Sequence, residues 1–253
     1  IWVAKGNYSP GLLVTSYFTL KEGVKIYGGF AGTEEELVQR DSLAIRTVNE
    51  TILNGNNKSY HVVYNKVNLT AATVLDGFTI TAGRTAVGSY SEAYYGAGIY
   101  NALGKSIFRN LWIKNNNAYS YGAGIYNAGT GSFEEIKLEN NIVSGGRYAF
   151  GGGIYNTGAA TFNKITFIGN KAASGGGMYL LTAAVNLSDL IFKGNSATAT
   201  GGGFFNSNGK PVFKNVQFIE NTAVLQGGGI YQTAGTTTIG SGVFSQNKVS
   251  NAG

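Results

Sequence analysis

The sequence predicts an all-β chain wound as a right-handed single-stranded parallel β-helix, a solenoid with coils of about 26 residues. Three observations carry that expectation. First, a Gly-rich hexapeptide recurs as GAGIYN at Gly96–Asn101 and Gly122–Asn127, GGGIYN at Gly151–Asn156, GGGMYL at Gly175–Leu180, GGGFFN at Gly201–Asn206 and GGGIYQ at Gly227–Gln232. Its third glycines, Gly98 to Gly229, are spaced by 26, 29, 24, 26 and 26 residues, the kind of period that belongs to stacked repeats. Second, an apolar column ending in asparagine alternates with the hexapeptide: Phe108/Leu111/Ile113/Asn116, Phe133/Ile136/Leu138/Asn141, Phe162/Ile165/Phe167/Asn170, Leu187/Leu190/Phe192/Asn195, Phe213/Val216/Phe218/Asn221 and Ile239/Gly242/Phe244/Asn247. Third, the path between these columns is Gly, Thr and Ala with Tyr and Ile, poor in helix formers and rich in turn and strand formers.

The third observation decides between two architectures. The apolar column alone also fits a leucine-rich repeat, whose coils close through a helix or a 3₁₀ segment. A Gly-Gly-Gly-Ile-Tyr-Asn return is costly to hold helical, so each unit reads as strand–turn–strand–turn. The right-handed sense follows from the crossover rule for parallel strands.

Composition bounds the rest. Charged residues make up 13% of the 253 and apolar residues 43%, enough apolar content for a continuous core. Each repeat buries its apolar side only against its neighbours, so the length reads as one continuous domain. Residues 1–95 are its irregular N-terminal coils or cap, and 96–253 its regular coils. There is no cysteine, hence no disulfide, thiol chemistry or Cys-ligated zinc. The net charge of +6 comes from lysines spread over successive repeats, which reads as a solvated face rather than a nucleic-acid footprint. No apolar stretch is long enough for a spanning helix. The opening Ile1-Trp2-Val3-Ala4 is already strand-like, and the spacing predicts a further Gly-rich segment after Gly253. The chain therefore reads as a fragment, with secretion and anchoring signals outside it.

In the N-terminal third, Ile1–Ala4, Tyr17–Leu20 and Val24–Tyr27 read as strands between Gly and Pro-Gly turns. Thr33 with Glu36 fits a capping box opening a single helical turn over Glu34–Arg40. Thr51–Gly55 and Val74–Ile80 are imperfect coils, with further strands at Tyr60–Tyr64 and Val67–Leu69.

In the regular coils, the asparagines Asn116, Asn141, Asn170, Asn195, Asn221 and Asn247 are expected to form a buried amide ladder between coils about 4.8 Å apart. Within the hexapeptide, alternation sends Ile99 and its equivalents inward. It sends Tyr100, Tyr126, Tyr155, Tyr179, Phe205 and Tyr231 outward, as a stacking ladder or as a platform for sugar rings. Insertions at Thr85–Tyr95 and Ser144–Phe150 place Tyr90, Tyr94, Tyr95, Arg147, Tyr148 and Phe150 on loops of a rigid scaffold, the expected ligand-binding surface.

The paired GG[AG]I and FxxN motifs over Gly96–Gly253 resemble the repeats of bacterial polymorphic outer-membrane proteins, with departures at Leu180, Gln232 and Gly242. The stretch VKIYGGFAGTEEELVQRD at Val24–Asp41, followed by TILNG, is similar to the amino-terminal module of right-handed β-helix proteins secreted by Gram-negative bacteria. The resemblance implies an extracellular or cell-surface β-helix concerned with adhesion, its partners being host or surface glycans or proteins. Asp41-Ser42-Leu43 also resembles a bacterial O-glycosylation acceptor.

An enzyme is not expected. Glycoside hydrolysis needs two carboxylates about 5–10 Å apart. The outward strand column Trp112, Lys137, Thr166, Ile191, Gln217 and Val243 carries none. Glu134, Glu135 and Glu139 are the only local acid group in the regular coils, and His61 lies in an apolar run. No metal or cofactor site emerges. The first reading is a structural and adhesive module; the alternative is a carbohydrate-binding or polysaccharide-degrading β-helix. What separates them is whether those glutamates face a groove with a neighbouring Lys or Arg, or a flat uncharged surface.

Overall fold

Among the described residues, strands alternate with turns, many of them at glycine, and pair in parallel with their equivalents one coil away. The computed structural model describes residues 1–87, 91–145 and 148–251. They form a parallel β-solenoid of about nine turns of roughly 26 residues. Among the described residues the strands fall into three sheets of 14, 8 and 6 members. One coil shows all three: Ile125–Asn127 on the hexapeptide face, Ser132–Glu139 on the long face and Ile142–Val143 on the short face. Register follows the motif letter by letter, with Ile125 opposite Ile154, Tyr126 opposite Tyr155 and Phe133 opposite Phe162. The N-terminal strands join the same ladders: Val74 pairs with Ile107 and Val63 with Ile99.

The glycine triplet has a steric cause. Its first member, as at Gly151, has φ +68°, a left-handed turn that glycine enters without penalty. A Cβ on its third member, Gly153, would lie 2.5 Å from the Gly177 carbonyl oxygen of the next coil. Close coil-to-coil approach therefore demands glycine there. Two further columns of left-handed residues bend the long face, at Asn110, Glu135, Lys164, Asp189 and Asn215 and again before each ladder asparagine, at Asn115, Asn140, Gly169, Gly194, Glu220 and Gln246. Asparagine and glycine tolerate this region best. The sequence reading did not identify these bends.

The asparagine ladder forms as expected. Asn141 Nδ2 donates to Asn170 Oδ1 at 3.0 Å and to the Ile113 carbonyl at 2.9 Å, while its Oδ1 accepts both the backbone amide and Nδ2 of Asn116. The pattern repeats through Asn170, Asn195 and Asn221 to Asn247. A second ladder was not foreseen. The closing asparagines of the hexapeptide, Asn65, Asn101, Asn127 and Asn156, donate amide to amide at 2.7 Å until Leu180 interrupts them.

Inside the coils Phe108, Phe133 and Phe162 stack at 5.1 Å, and Phe167, Phe192 and Phe218 at 4.4 and 4.6 Å. The tyrosine column also stacks, from Tyr64 through Tyr100, Tyr126, Tyr155 and Tyr179 to Phe205, with centroids 4.6–5.6 Å apart. It points away from the main core but is no open platform. Tyr100, Tyr155, Tyr179 and Phe205 are each at most 7% exposed, and a second stack of Tyr95, Tyr121 and Phe150 lies over Tyr126, Tyr155 and Tyr179. Burial pushes the Tyr100 and Tyr155 phenols upward accordingly.

Two N-terminal expectations are corrected. No strand forms over Val67–Leu69, where Leu69 instead packs into the core. The Thr33–Glu36 box does not form either. The Glu34 carboxylate folds back onto the amides of Ala31, Gly32 and Thr33 at 2.7–3.0 Å, which keeps the chain from entering a helix there. The helical turn is the shorter 3₁₀ segment Leu37–Gln39, where Gln39 Oε1 accepts the amides of Glu35 and Glu36. His61 is buried, its ring lies 5.0 Å from Tyr64 and 5.2 Å from Tyr100, and its Nδ1 meets the Gly96 carbonyl at 3.2 Å.

Two measurements check this account. Asn141→Leu orphans a backbone amide and carbonyls of neighbouring coils and is expected to cost roughly 3–5 kcal/mol, since each buried unmade partner costs about 1–3. Asn127→Leu orphans the Asn101 side-chain amide but no backbone N–H of a neighbouring coil, and Leu180 already occupies the same position two coils on, so about 1–2 kcal/mol is expected. Equal shifts in the urea midpoint would refute the difference between the ladders. Burial holds the folded His61 pKa at about 4, below its ordinary 6.5. The unfolded chain then binds the extra proton first, so stability falls as pH drops from 6.5 towards 4, by roughly 3 kcal/mol at about 1.4 per unit. His61→Gln is expected to flatten that slope, and an unchanged slope in the variant would assign it elsewhere.

A candidate binding groove beneath the 31–50 arm

After the strand Lys25–Phe30 the chain leaves the coil path, crosses outside the long face over residues 31–50, and re-enters at the strand Thr51–Asn54. Glycines seat this arm. A Cβ on Gly29 would lie 2.7 Å from Ile45 Cγ1, and one on Gly77 would lie 2.5 Å from the Arg40 guanidinium. The absent side chains leave room for Ile45 to be buried and for Arg40 to reach Asp76. At its end, Thr51 Oγ1 accepts the Gly29 amide at 2.8 Å, and Glu50 Oε1 accepts from Thr79 Oγ1 at 2.6 Å.

The central anchor is Asp76, whose side chain is 2% exposed. Arg40 of the arm donates to it at 2.5 Å, Arg109 of the next coil donates to its other oxygen, and Asn110 donates at 3.1 Å. Burial alone would raise this carboxyl; the donors outweigh it and hold Asp76 below the usual carboxylate range. Arg109 is raised in turn, chiefly by its hydrogen bond to Asp76.

Between arm and long face lies a groove in two contiguous parts, of about 520 and about 480 Å³, sharing Ser42, Ile45, Asn110 and Glu135. The larger part adds Arg46, Lys137, Lys164 and Thr166 around an apolar strip of Leu43, Ile45 and Ile136. Glu134 and Glu135 line the other part together with Arg40, Asp76 and Arg109. Lys164 pairs with Glu135 at 2.9 Å, and the Arg46 Nη2 donates to the Glu135 carbonyl at 2.6 Å. Glu139 belongs to a neighbouring cluster, accepting from Trp112 Nε1 at 2.9 Å and pairing with Lys137 at 2.8 Å, while Lys114 Nζ lies 3.5 Å above the Trp112 ring. The surface bearing Glu134 and Glu135 is thus grooved and charged rather than flat. Ser42 is exposed at the groove's lip.

The described residues of the expected loop surface do not line this groove. Tyr90 and Arg147 lie outside the described residues. Tyr95 and Phe150 are part of the outer aromatic stack, Tyr94 meets Tyr119 edge-on at 5.9 Å, and Tyr148 is half exposed. The groove was missed because its walls come from the arm and from coils about 35 and 90 residues downstream, as the pairs Arg40–Asp76 and Arg46–Glu135 show. The one local signal was the pair of glycine turns, Gly28-Gly29 and Gly77. No group of three potential metal ligands occurs among the described residues, and no helix is long and apolar enough to cross a membrane. The chain matches no protein-family profile, no curated protein and no solved structure.

Asp76→Asn tests the anchor. It leaves Arg40 and Arg109 facing a neutral amide, and a loss of roughly 2–4 kcal/mol is expected, with faster tryptic cleavage after Arg40 and Arg46. Because the folded Asp76 value is depressed, its contribution is present above the ordinary 3.8 and fades as pH falls through the lower folded value. Cleavage at the wild-type rate would show that the arm is held without Asp76.

Proposed function

We propose that the chain is a non-enzymatic structural and adhesive module: a rigid rod of a secreted or cell-surface bacterial protein that displays loops and a groove to surface glycans or proteins. One observation carries this reading, the amide ladder running unbroken from Asn116 to Asn247. Such a ladder ties every coil to the next and turns a repeat into a stiff extended body, and spacing a contact surface from a cell needs such a body. The resemblance to polymorphic outer-membrane repeats supports the same reading and its surface location. Secretion and anchoring would be the work of segments outside the chain. Nucleic acid fits poorly, since the lysines are distributed along the coils rather than gathered into a stripe.

Hydrolysis is not favoured by the acids present. Asp76 is locked by two arginines, Glu135 is paired with Lys164, and Glu139 with Lys137 and Trp112. A glycosidase needs one carboxyl able to donate a proton and another free to attack or to activate water. A second reading, a carbohydrate-binding or carbohydrate-cleaving β-helix, is favoured by one observation: Glu134 and Glu135 line a groove together with Lys and Arg.

The test incubates the protein with a panel of acidic and neutral polysaccharides and measures chain length by size-exclusion chromatography, alongside adhesion of protein-coated beads to cell and matrix surfaces. Intact chains with adhering beads are expected. Shortened chains would overturn the non-enzymatic assignment and point to Glu134 and Glu135. Beads that adhere to no surface would overturn the adhesive one.

A further inference from the structure

We propose that the groove under the 31–50 arm binds an acidic oligosaccharide, with Arg46 as the group that pairs with a sugar carboxylate or sulfate. This deepens the adhesive reading, on which it rests, by giving the module a ligand class.

The argument begins with charge. The larger part of the groove is lined by three cations, Arg46, Lys137 and Lys164, against one carboxylate, Glu135. Lys164 is matched by Glu135, and Lys137 by Glu139 just outside the groove. Arg46 has no such partner: among the described residues no carboxylate lies within ion-pair distance of it. Its Nη2 is held by the carbonyl oxygen of Glu135, a neutral acceptor that fixes the guanidinium without an ion pair. The side chain is half-buried, and burial pushes its pKa down from the usual range against the more distant pull of Glu135 and Asp76. A guanidinium taken partly out of water with no anion in ion-pair contact gains from an anion that can reach it. Its planar fork suits the paired oxygens of a carboxylate or sulfate.

The rest of the lining selects the kind of anion carrier. Leu43, 87% exposed, gives an apolar surface at the lip for the C–H face of a pyranose ring, and the buried Ile45 and Ile136 close the groove behind it. Ser42, Asn110 and Thr166 supply hydroxyl and amide partners for ring hydroxyls. The two contiguous parts, about 520 and about 480 Å³, each fall within the about 300–1,000 Å³ of ligand sites and together accept more than one sugar unit. A single-stranded nucleic acid would need aromatic platforms for its bases, and no aromatic residue lines the larger part.

The experiment is calorimetric titration of the intact chain with defined oligouronates, sulfated oligosaccharides, neutral oligoglucans and an oligoglutamate peptide, at low and physiological salt. Binding of a uronate or sulfated oligosaccharide is expected, weakened by salt, with the neutral oligomers at least about tenfold weaker, the low end for one charged hydrogen bond. Which acidic series binds identifies the anion. Arg46→Gln is expected to weaken binding about 10–100-fold, and Arg46→Lys to recover only part of it, charge without the fork. Leu43→Glu, at a position that touches no core, places a negative charge at the lip and is expected to weaken the same ligand even if the Arg46 variants fold poorly. Lys248→Gln, in the last described coil, is expected to bind as wild type. The inference falls if no acidic saccharide binds, if neutral oligomers or the acidic peptide bind as well, or if Arg46→Gln and Leu43→Glu both bind as wild type. Adhering beads without oligosaccharide binding would overturn the groove assignment and leave the adhesive reading standing. Oligosaccharide binding without bead adhesion would do the reverse.

Discussion

Everything in this molecule depends on coils approaching to the distance at which one buried amide can donate to the next. At that spacing an interior ladder asparagine such as Asn141 satisfies four groups at once: the side-chain amides of both neighbouring coils, and a backbone N–H and a carbonyl of the preceding coil. None of these groups is accessible to water, and an unmade buried partner costs about 1–3 kcal/mol, so the ladder fixes the pitch as firmly as the sheets do. The glycine triplet is the complementary condition. Asparagine demands close approach, and Gly153 and its equivalents permit it by leaving no Cβ to strike the carbonyl of the next coil. The two motifs recur together because neither is of use alone.

The aromatic columns follow from the same pitch. Residues in register along parallel strands are separated by about the distance at which rings stack offset, so any column that is aromatic throughout becomes a stack. That is why the tyrosines of the hexapeptide are unsuited to receiving sugar rings: their faces are already occupied by one another. Where the residue before the glycines is aromatic, at Tyr95, Tyr121 and Phe150, a second stack covers the first. From Ser174 onward that position is Ser, Thr or Gln, and the outer stack ends.

The regular coils were legible in the sequence because their determinants are local and repeated. The period gave the coil length, the hexapeptide gave one face and the apolar column with its asparagine gave another. The hexapeptide's own asparagine ladder was visible as a column in Asn101, Asn127 and Asn156, but Leu180 and Gln232 made it look incidental. The left-handed bends were harder to see. Asn110, Glu135, Lys164, Asp189 and Asn215 share a position and a backbone conformation but not one residue type, so only the backbone reveals the column. The groove was least legible of all. Arg40, Arg46 and Ile45 read as an unremarkable polar stretch until Asp76 and Glu135 are brought beneath them by stacking.

Function in a solenoid is to be sought where periodicity fails, and here it fails most at the arm. A regular coil spends its glycines, asparagines and rings on its neighbours and has little left to offer a ligand. The arm is released from that requirement, yet it is not loose. Ile45 is buried against Gly29, Arg40 is clamped to Asp76, and Thr51 and Glu50 fasten the return. On its other side the long face is as stiff as the ladders make it. A groove held between two such walls keeps its shape, with Arg46 outside any ion pair, whether or not a ligand is present. A partner then loses little free energy to ordering the protein, which is the condition under which a few polar contacts on an open surface suffice for recognition.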